Sequence, residues 1–299
     1  MASSRKRAKV TFIDLFAGIG GFHLAFHQNG AECVFASEWN EQARKTYEKN
    51  FKRISPEVFK SGNFVGDITK VRAADIPDFD VLTGGFPCQP FSNAGFKKGF
   101  ADIRGTLFHS IVEILKEKKP SAYFIENVRH LYNHDGGKTF KIIKKKIEEA
   151  GYTFDEKVVK GTDFNVPQHR PRLYMVGFRK DSVPKSFRFN FPEKIAPKKR
   201  KTMSDIFGAQ CSREVGFTLR VGGRASGIKD RRNWDSYLVE GKVRRLTPQE
   251  GKKMMGFPNS YIFPVSESQA MKQLGNAVIV PAISAVAAEI LATLNKYEG

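Results

Sequence analysis

Short apolar runs that end in glycine or a polar pair, each followed by a segment of helical periodicity, constrain this chain most. Val10 to Phe16 reads as a buried strand, and Ala17-Gly18-Ile19-Gly20-Gly21 as a glycine turn opening a helix through about Asn29. Ala31 to Ser37 is the next strand, ending in Glu38-Trp39, and Asn40 can cap a helix that runs to about Phe51. Val65-Gly66-Asp67-Ile68-Thr69 follows. An apolar run from Phe79 to Leu82 then closes in a turn at Gly84-Gly85, and a helix runs from about Thr106 to Lys118. Ala122 to Ile125 is a strand leading into Glu126-Asn127-Val128. A helix from about Lys138 to Ala150 and strands near Thr153 to Lys160 and Arg172 to Phe178 complete the alternation. Strands alternating with helices predict an α/β fold, doubly wound around a mainly parallel sheet.

The texture changes after Phe178. Residues 179 to 245 are rich in proline, glycine, aromatic residues and charge, with 18 basic against 7 acidic side chains in a chain whose net charge is +19. That concentration predicts a second, smaller and irregular module over 180–266, with 1–179 and 267–299 forming the larger domain. A helical segment near Pro248 to Met255 and an apolar helical run from about Val278 to Leu294 close the chain. The basic excess points to a polyanionic partner. No stretch has the roughly 20 apolar residues a membrane span needs, and no signal peptide is expected. Cys33, Cys88 and Cys211 have no paired spacing, which argues for free thiols in a reducing cytosol. Pro197-Lys198-Lys199-Arg200-Lys201 is similar to a nuclear-import signal, but a solvated basic linker explains it equally well.

Gly84 to Ser92 reads Gly-Gly-Phe-Pro-Cys-Gln-Pro-Phe-Ser and delivers Cys88 at a strand's carboxyl end, where open α/β sheets hold their chemistry. Pro87 fixes one backbone angle just before the thiol. Spacing alone leaves Cys88 between a nucleophile and a small buried hydrophobe. A zinc site is disfavoured because Phe91 stands where a second cysteine would be needed, and no metal is expected.

Gly18-Ile19-Gly20-Gly21 after a strand brings backbone close to a ligand, but His23 stands where the third glycine of a nicotinamide-dinucleotide fingerprint would fall. Glu38, 18 residues past Gly20, would accept hydrogen bonds from ribose hydroxyls. Trp39 offers a flat face for a purine, and Asp67 an acceptor for an exocyclic amine. Each also has an ordinary structural reading, as turn, cap or core. Together they favour an adenosine-containing cofactor.

At this point the chain resembles the DNA (cytosine-5) methyltransferase family, in particular its compact bacterial restriction–modification members. Asp14-Leu15-Phe16-Ala17-Gly18-Ile19-Gly20-Gly21-Phe22 is similar to the family's cofactor motif, Phe86-Pro87-Cys88-Gln89 to its nucleophile motif and Glu126-Asn127-Val128 to its acidic motif. Gln168-His169-Arg170-Pro171-Arg172 resembles the paired-arginine motif. Arg245 to Glu250, with Met255-Gly256-Phe257-Pro258, resembles the segment after the recognition region, and Gln273 to Val278 the last motif.

The resemblance implies a methyltransferase-type sheet that binds S-adenosylmethionine, with S-adenosylhomocysteine as product, through Phe16, Gly18, Gly20, Gly21, Glu38, Trp39, Asp67, Pro87, Leu107, Asn276 and Val278. It implies catalysis by Cys88, Glu126, Arg170 and Arg172 on carbon 5 of a cytosine flipped out of duplex DNA. Arg170 and Arg172, two apart, would share one strand face, with Arg172 at the base O2 and Arg170 at the DNA backbone or the loop. Gln89 and Ser92 would meet DNA next to Cys88, and Lys97 and Arg104 from a mobile lid over Asn93 to Gly105. Thr218, Arg220, Gly222, Gly223 and Arg224 would read a short, guanine-containing site, with Arg231 or Arg232 as further candidates. A monomer in the bacterial cytoplasm, associated with the nucleoid and accompanied by a restriction endonuclease, is the setting implied. A tRNA (cytosine-5) methyltransferase of the same fold would share every catalytic motif. A DNA-binding regulator with an inactive fold would not need Cys88, Glu126 and Arg172 together, and a nicotinamide dehydrogenase would not need the cysteine.

Overall fold

The computed structural model describes residues 9–86, 107–196, 200–222 and 226–297. β1 (Thr11–Leu15) leads into α1 (Gly21–Gln28), β2 (Glu32–Ser37), α2 (Glu41–Phe51) and the short α3 (Pro56–Lys60). β3 (Phe64–Val65) and two 3-10 turns precede β4 (Val81–Gly85). α4 (Leu107–Lys118), β5 (Ala122–Val128), α5 (Lys138–Glu149), β6 (Asp155–Val159) and β7 (Arg172–Phe178) follow. These strands make one seven-stranded sheet in the order β3-β2-β1-β4-β5-β7-β6. β1 to β5 are mutually parallel, while β7 runs antiparallel to both β5 and β6. Strand order reverses between β1 and β4. Their carboxyl ends therefore open the crevice where doubly wound sheets bind ligands.

Alternate residues of the central strands feed two cores, as a period of two requires. Phe12, Val81 and Phe124 join one apolar cluster with α1. Ile13, Leu82 and Ile125 join the other, with Ile111 and Leu115 of α4 and Ile143 of α5. Asn40 begins α2 with its side chain accepting from the Ala43 amide at 3.0 Å, which meets one of the helix's orphan donors.

Beyond β7 lie α6 (Met203–Phe207), a hairpin of β8 (Ser236–Val239) and β9 (Lys242–Arg245), α7 (Pro248–Met255), α8 (Glu267–Asn276) and α9 (Val280–Tyr297). Buried Met203, Ile206, Trp234, Tyr237 and Met254 belong to the same cluster as Phe12 and Ile283. The C-terminal helix α9 returns beneath the first unit: Asn29 after α1 donates to the Ser284 hydroxyl at 2.9 Å.

The turn after β4 differs from the expectation. Gly84 and Gly85 are the last residues of the strand, pairing with Ile125 and Glu126. A Cβ on Gly84 would stand 2.7 Å from the Leu15 carbonyl oxygen, so glycine here permits close strand approach rather than a bend. Gly20 does turn the chain, at φ +77°, and an added Cβ would overlap the Phe51 ring. Phe51 and Tyr47 are both buried and cannot retreat. Gly20→Ala combines left-handed strain with overpacking and is expected to lower unfolding free energy by about 2–5 kcal/mol, measured by denaturant titration.

Candidate active site

The carboxyl ends of β1, β2 and β3 form the first half of the site. Phe16 leaves β1 at φ +54° and Gly18 follows at +56°. A Cβ on Gly18 would meet nothing nearer than 4.0 Å, so that turn presents open backbone. Glu38 is buried, and its two carboxylate oxygens accept from the Gly18 and Asn40 amides, each at 2.7 Å. Burial pushes the Glu38 carboxyl above its ordinary range, against the pull of those amides and Arg44. Each oxygen keeps a second lone pair for a hydroxyl donor. Arg44 braces the far side, donating to the carbonyls of Glu38 and Phe64, each at 3.2 Å, and to that of Val65. Trp39, next in the chain, is 80% exposed. Asp67 spends one oxygen on the Thr69 amide and hydroxyl, at 3.0 and 2.8 Å, capping a 3-10 turn.

Val278, half-buried after α8, packs on the glycine turn: a Cβ on Gly21 would overlap its Cγ2. Asn276 is exposed at the end of the same helix, and Leu107 opens α4 half-buried. His23, where a third fingerprint glycine would fall, is fully buried. Its ring nitrogens face the Tyr47 and Ser55 hydroxyls at 2.6 and 2.9 Å. Burial, with His27 nearby, pushes it down to about 3. A neutral core histidine supports the turn.

The second half of the site stands at the ends of β4 and β5 and the start of β7. Glu126 is 8% exposed, and Arg172 Nε meets its Oε1 at 2.9 Å. Burial raises the Glu126 carboxyl above its ordinary range, while Arg172 and then Arg170 pull it down. Gly85 lies opposite in the ladder, and a Cβ there would come within 3.3 Å of Glu126 Oε2. Glycine therefore leaves uncovered, on that side, the oxygen that Arg172 does not take. Asn127 donates to the Phe86 carbonyl at 2.8 Å. The side chain after the carboxylate thus fixes the last described residue before Pro87.

Arg170 departs from the expectation. β7 begins at Arg172, and Arg170 sits outside it at φ +27°. It is 2% exposed, and its guanidinium donates to the carbonyls of Leu219, Gly275 and Ala277 at 3.0, 2.9 and 2.6 Å. The two arginines share no strand face, and Arg170 faces protein backbone. Burial, then the like charge of Arg172, pushes it down to about 9, with Glu126 opposing.

Thr218 is half-buried, while Arg220 and Gly222 are exposed. Arg231 is exposed, whereas Arg232 is clasped by Asp230 through Nε at 3.2 Å and Nη2 at 2.8 Å. Pro87, Cys88, Gln89, Ser92, Lys97, Arg104, the whole Asn93 to Gly105 stretch, Gly223 and Arg224 lie outside the described residues. Three contributors carried no role in the sequence reading: Asn127, Gln168 and Tyr261. The Tyr261 hydroxyl donates to the Ile19 carbonyl of the glycine turn, and buried Lys252 holds the Tyr261 carbonyl at 2.8 Å. These partners lie 41 or more residues away, and the sequence signal for Asn127 and Gln168 is their place inside the acidic and paired-arginine motifs.

Residues 10–220 and 212–292 match the family described as C-5 cytosine-specific DNA methylase. The type II methyltransferase M.SsoII of Shigella sonnei is 42% identical, over 98% of this chain and 83% of its own. M.HhaI of Haemophilus parahaemolyticus is 38% identical, over 95% of each. The crystal structure of S. pombe Dnmt2 methyltransferase matches with a TM-score of 0.75 at 21% identity, over 96% of this chain and all of that one. That last likeness concerns the fold alone.

Proposed function

Because the chain belongs to the C-5 cytosine-specific DNA methylase family, we propose that it methylates carbon 5 of a flipped cytosine in a short duplex site through a covalent adduct on Cys88, with S-adenosylmethionine as donor. The observation that carries this reading is the buried Glu126–Arg172 pair at the end of β5, beside the strand that leads into Cys88.

Phe16, Gly18, Gly20, Gly21, Glu38, Trp39, Asp67, Asn276 and Val278 are assigned to the cofactor. The open backbone at Gly18 and the spare lone pairs on Glu38 fit an adenosine group. When bound, S-adenosylmethionine supplies an electrophilic methyl group and is released as S-adenosylhomocysteine. Glu38→Ala removes one or more charge-assisted hydrogen bonds, each worth about 1.5–3 kcal/mol. Cofactor affinity is expected to fall by about 10- to 150-fold, measured as lost protection against thermal unfolding.

Carbon 5 of cytosine is a weak nucleophile. The Cys88 thiolate adds to carbon 6, placing the displaced electron pair on carbon 5, which then takes the methyl group. Glu126 faces N3 and the exocyclic amine, and its raised carboxyl favours the protonated form that stabilises the adduct. Arg172 orients that carboxyl and reaches the base O2. Loss of the carbon 5 proton to bound water returns its electron pair to the ring and expels the thiolate. Flipping the base costs a few kcal/mol of unstacking, offset by phosphate contacts from the basic module. Residues 180–266 are assigned to target recognition, with Arg220 exposed to read the groove.

The type II relatives favour a restriction–modification setting with a cognate endonuclease. Bisulfite sequencing of host DNA carrying the gene tests activity, base and site together. Protection of cytosine at one short sequence is expected. Uniform conversion with soluble, cofactor-binding protein present overturns the reading.

A further inference from the structure

Gln168 and Arg170 stand at the entrance to β7, four and two residues before the arginine that holds Glu126. Gln168 is fully buried and Arg170 nearly so. Both reach across to one residue of the candidate recognition segment. Gln168 Oε1 accepts from the Leu219 amide at 3.1 Å, and Arg170 Nη1 donates to the Leu219 carbonyl at 3.0 Å. The Gly216 amide donates to the Pro167 carbonyl at 2.8 Å, so residues 216 to 219 dock along 167 to 170.

The other arm of Arg170 holds the turn after α8 through Gly275 and Ala277. A Cβ on Gly275 would stand 2.5 Å from the Arg220 carbonyl carbon, so the Arg220 backbone seats directly on that turn. Trp234 Nε1 then donates to the Gly222 carbonyl at 2.8 Å. Arg220, Val221 and Gly222, which follow Leu219, are all exposed.

The geometry points to Gln168 and Arg170 as positioning residues that set the register between the DNA-reading segment Thr218–Gly222 and the Glu126 carboxyl, rather than as contacts to DNA or base. A buried guanidinium is costly unless its donors are met, and here carbonyls of two separate segments take Nη1 and Nη2, while Nε has no hydrogen-bond partner among the described residues. A lysine has no fork to span both. Displacing the segment by about 1 Å relative to the catalytic groups is enough to cost about 100-fold in rate. Reading the site and placing the cytosine therefore become one mechanical event.

This inference rests on residues 218–222 reading duplex DNA. The test compares full-length wild type with Arg170→Lys and Gln168→Met, on the duplex site mapped by bisulfite sequencing and on the same duplex with one flanking pair changed. For Arg170→Lys, discrimination between the duplexes and kcat on the proper one are each expected to fall by about tenfold or more. Gln168→Met moves both in the same direction, less far, and decides alone should Arg170→Lys fail to fold.

Folded variants that keep discrimination within about twofold overturn the inference. So does equal weakening on every duplex with the salt slope reduced by about one, which marks a direct phosphate contact. Amide hydrogen exchange over residues 216–222, read without substrate, separates the two possible failures. Unchanged exchange in both variants overturns the clamp. Raised exchange in a protein whose wild type methylates no duplex overturns the DNA reading instead.

Discussion

Replacing Cys88 with serine is expected to cut methyl transfer by about 10³-fold or more, with binding of duplex and of S-adenosylmethionine retained. Addition at carbon 6 needs an anion that is both nucleophilic and a competent leaving group. A thiolate, from a group with an ordinary pKa of about 8.5, is available near neutral pH, whereas a serine alkoxide is not. The fold fixes the residue two before Cys88: Phe86 is buried, its ring lies 5.6 Å from that of Phe108, and Asn127 holds its carbonyl. Serine is close to isosteric and leaves those contacts untouched. Single-turnover rates, with duplex affinity measured alongside, check this. Near-normal turnover by Cys88→Ser contradicts the covalent mechanism.

Glu126→Gln is the second large effect, with kcat on duplex expected to fall by about 10²- to 10⁴-fold. Glutamine keeps the shape and can still accept from Arg172, but it cannot supply or share a proton at N3. The same substitution reports on stability. Burial raises the Glu126 carboxyl in the folded state, outweighing the pull of Arg172. A group whose folded pKa is raised contributes stability that is present below its unfolded pKa and lost as pH rises through the folded pKa. Wild type therefore loses stability relative to Glu126→Gln across that window. The melting temperature of the variant minus that of wild type should grow from the acid side of the ordinary carboxylate range to neutral pH. A difference that shrinks over the same range contradicts the burial argument.

Much of the fold is local in origin and could be read in order along the chain. The Asn40 cap, the left-handed Gly20 turn and the alternation of apolar runs depend on neighbours within a few residues. Glu38 was legible as the acidic end of β2, although its engagement with the Gly18 amide required β1 and β2 to be side by side. Gly84 misled because glycine usually ends a strand, and its true reason is the Leu15 carbonyl on a neighbouring strand.

Arg170 misled for a related reason. Two arginines two apart predict one strand face, but the strand begins only at Arg172 and Arg170 turns at φ +27°. Its carbonyl partners are 49 to 107 residues distant. The roles of Gln168, Asn127 and Tyr261 were illegible in the same way, because amide and hydroxyl side chains announce no role until their partner arrives. The antiparallel pairing of β7 with β5 and β6 likewise depends on the path of residues 160–171, which apolar periodicity does not encode.

Substrate choice is the claim on which the rest depends, since the catalytic pair would serve a cytosine from any polynucleotide. Wild-type protein incubated with methyl-labelled S-adenosylmethionine and either duplex DNA or tRNA, followed by digestion to nucleosides, tests it directly. Label is expected in 5-methyldeoxycytidine from the duplex and none in tRNA. Label in tRNA alone would contradict it.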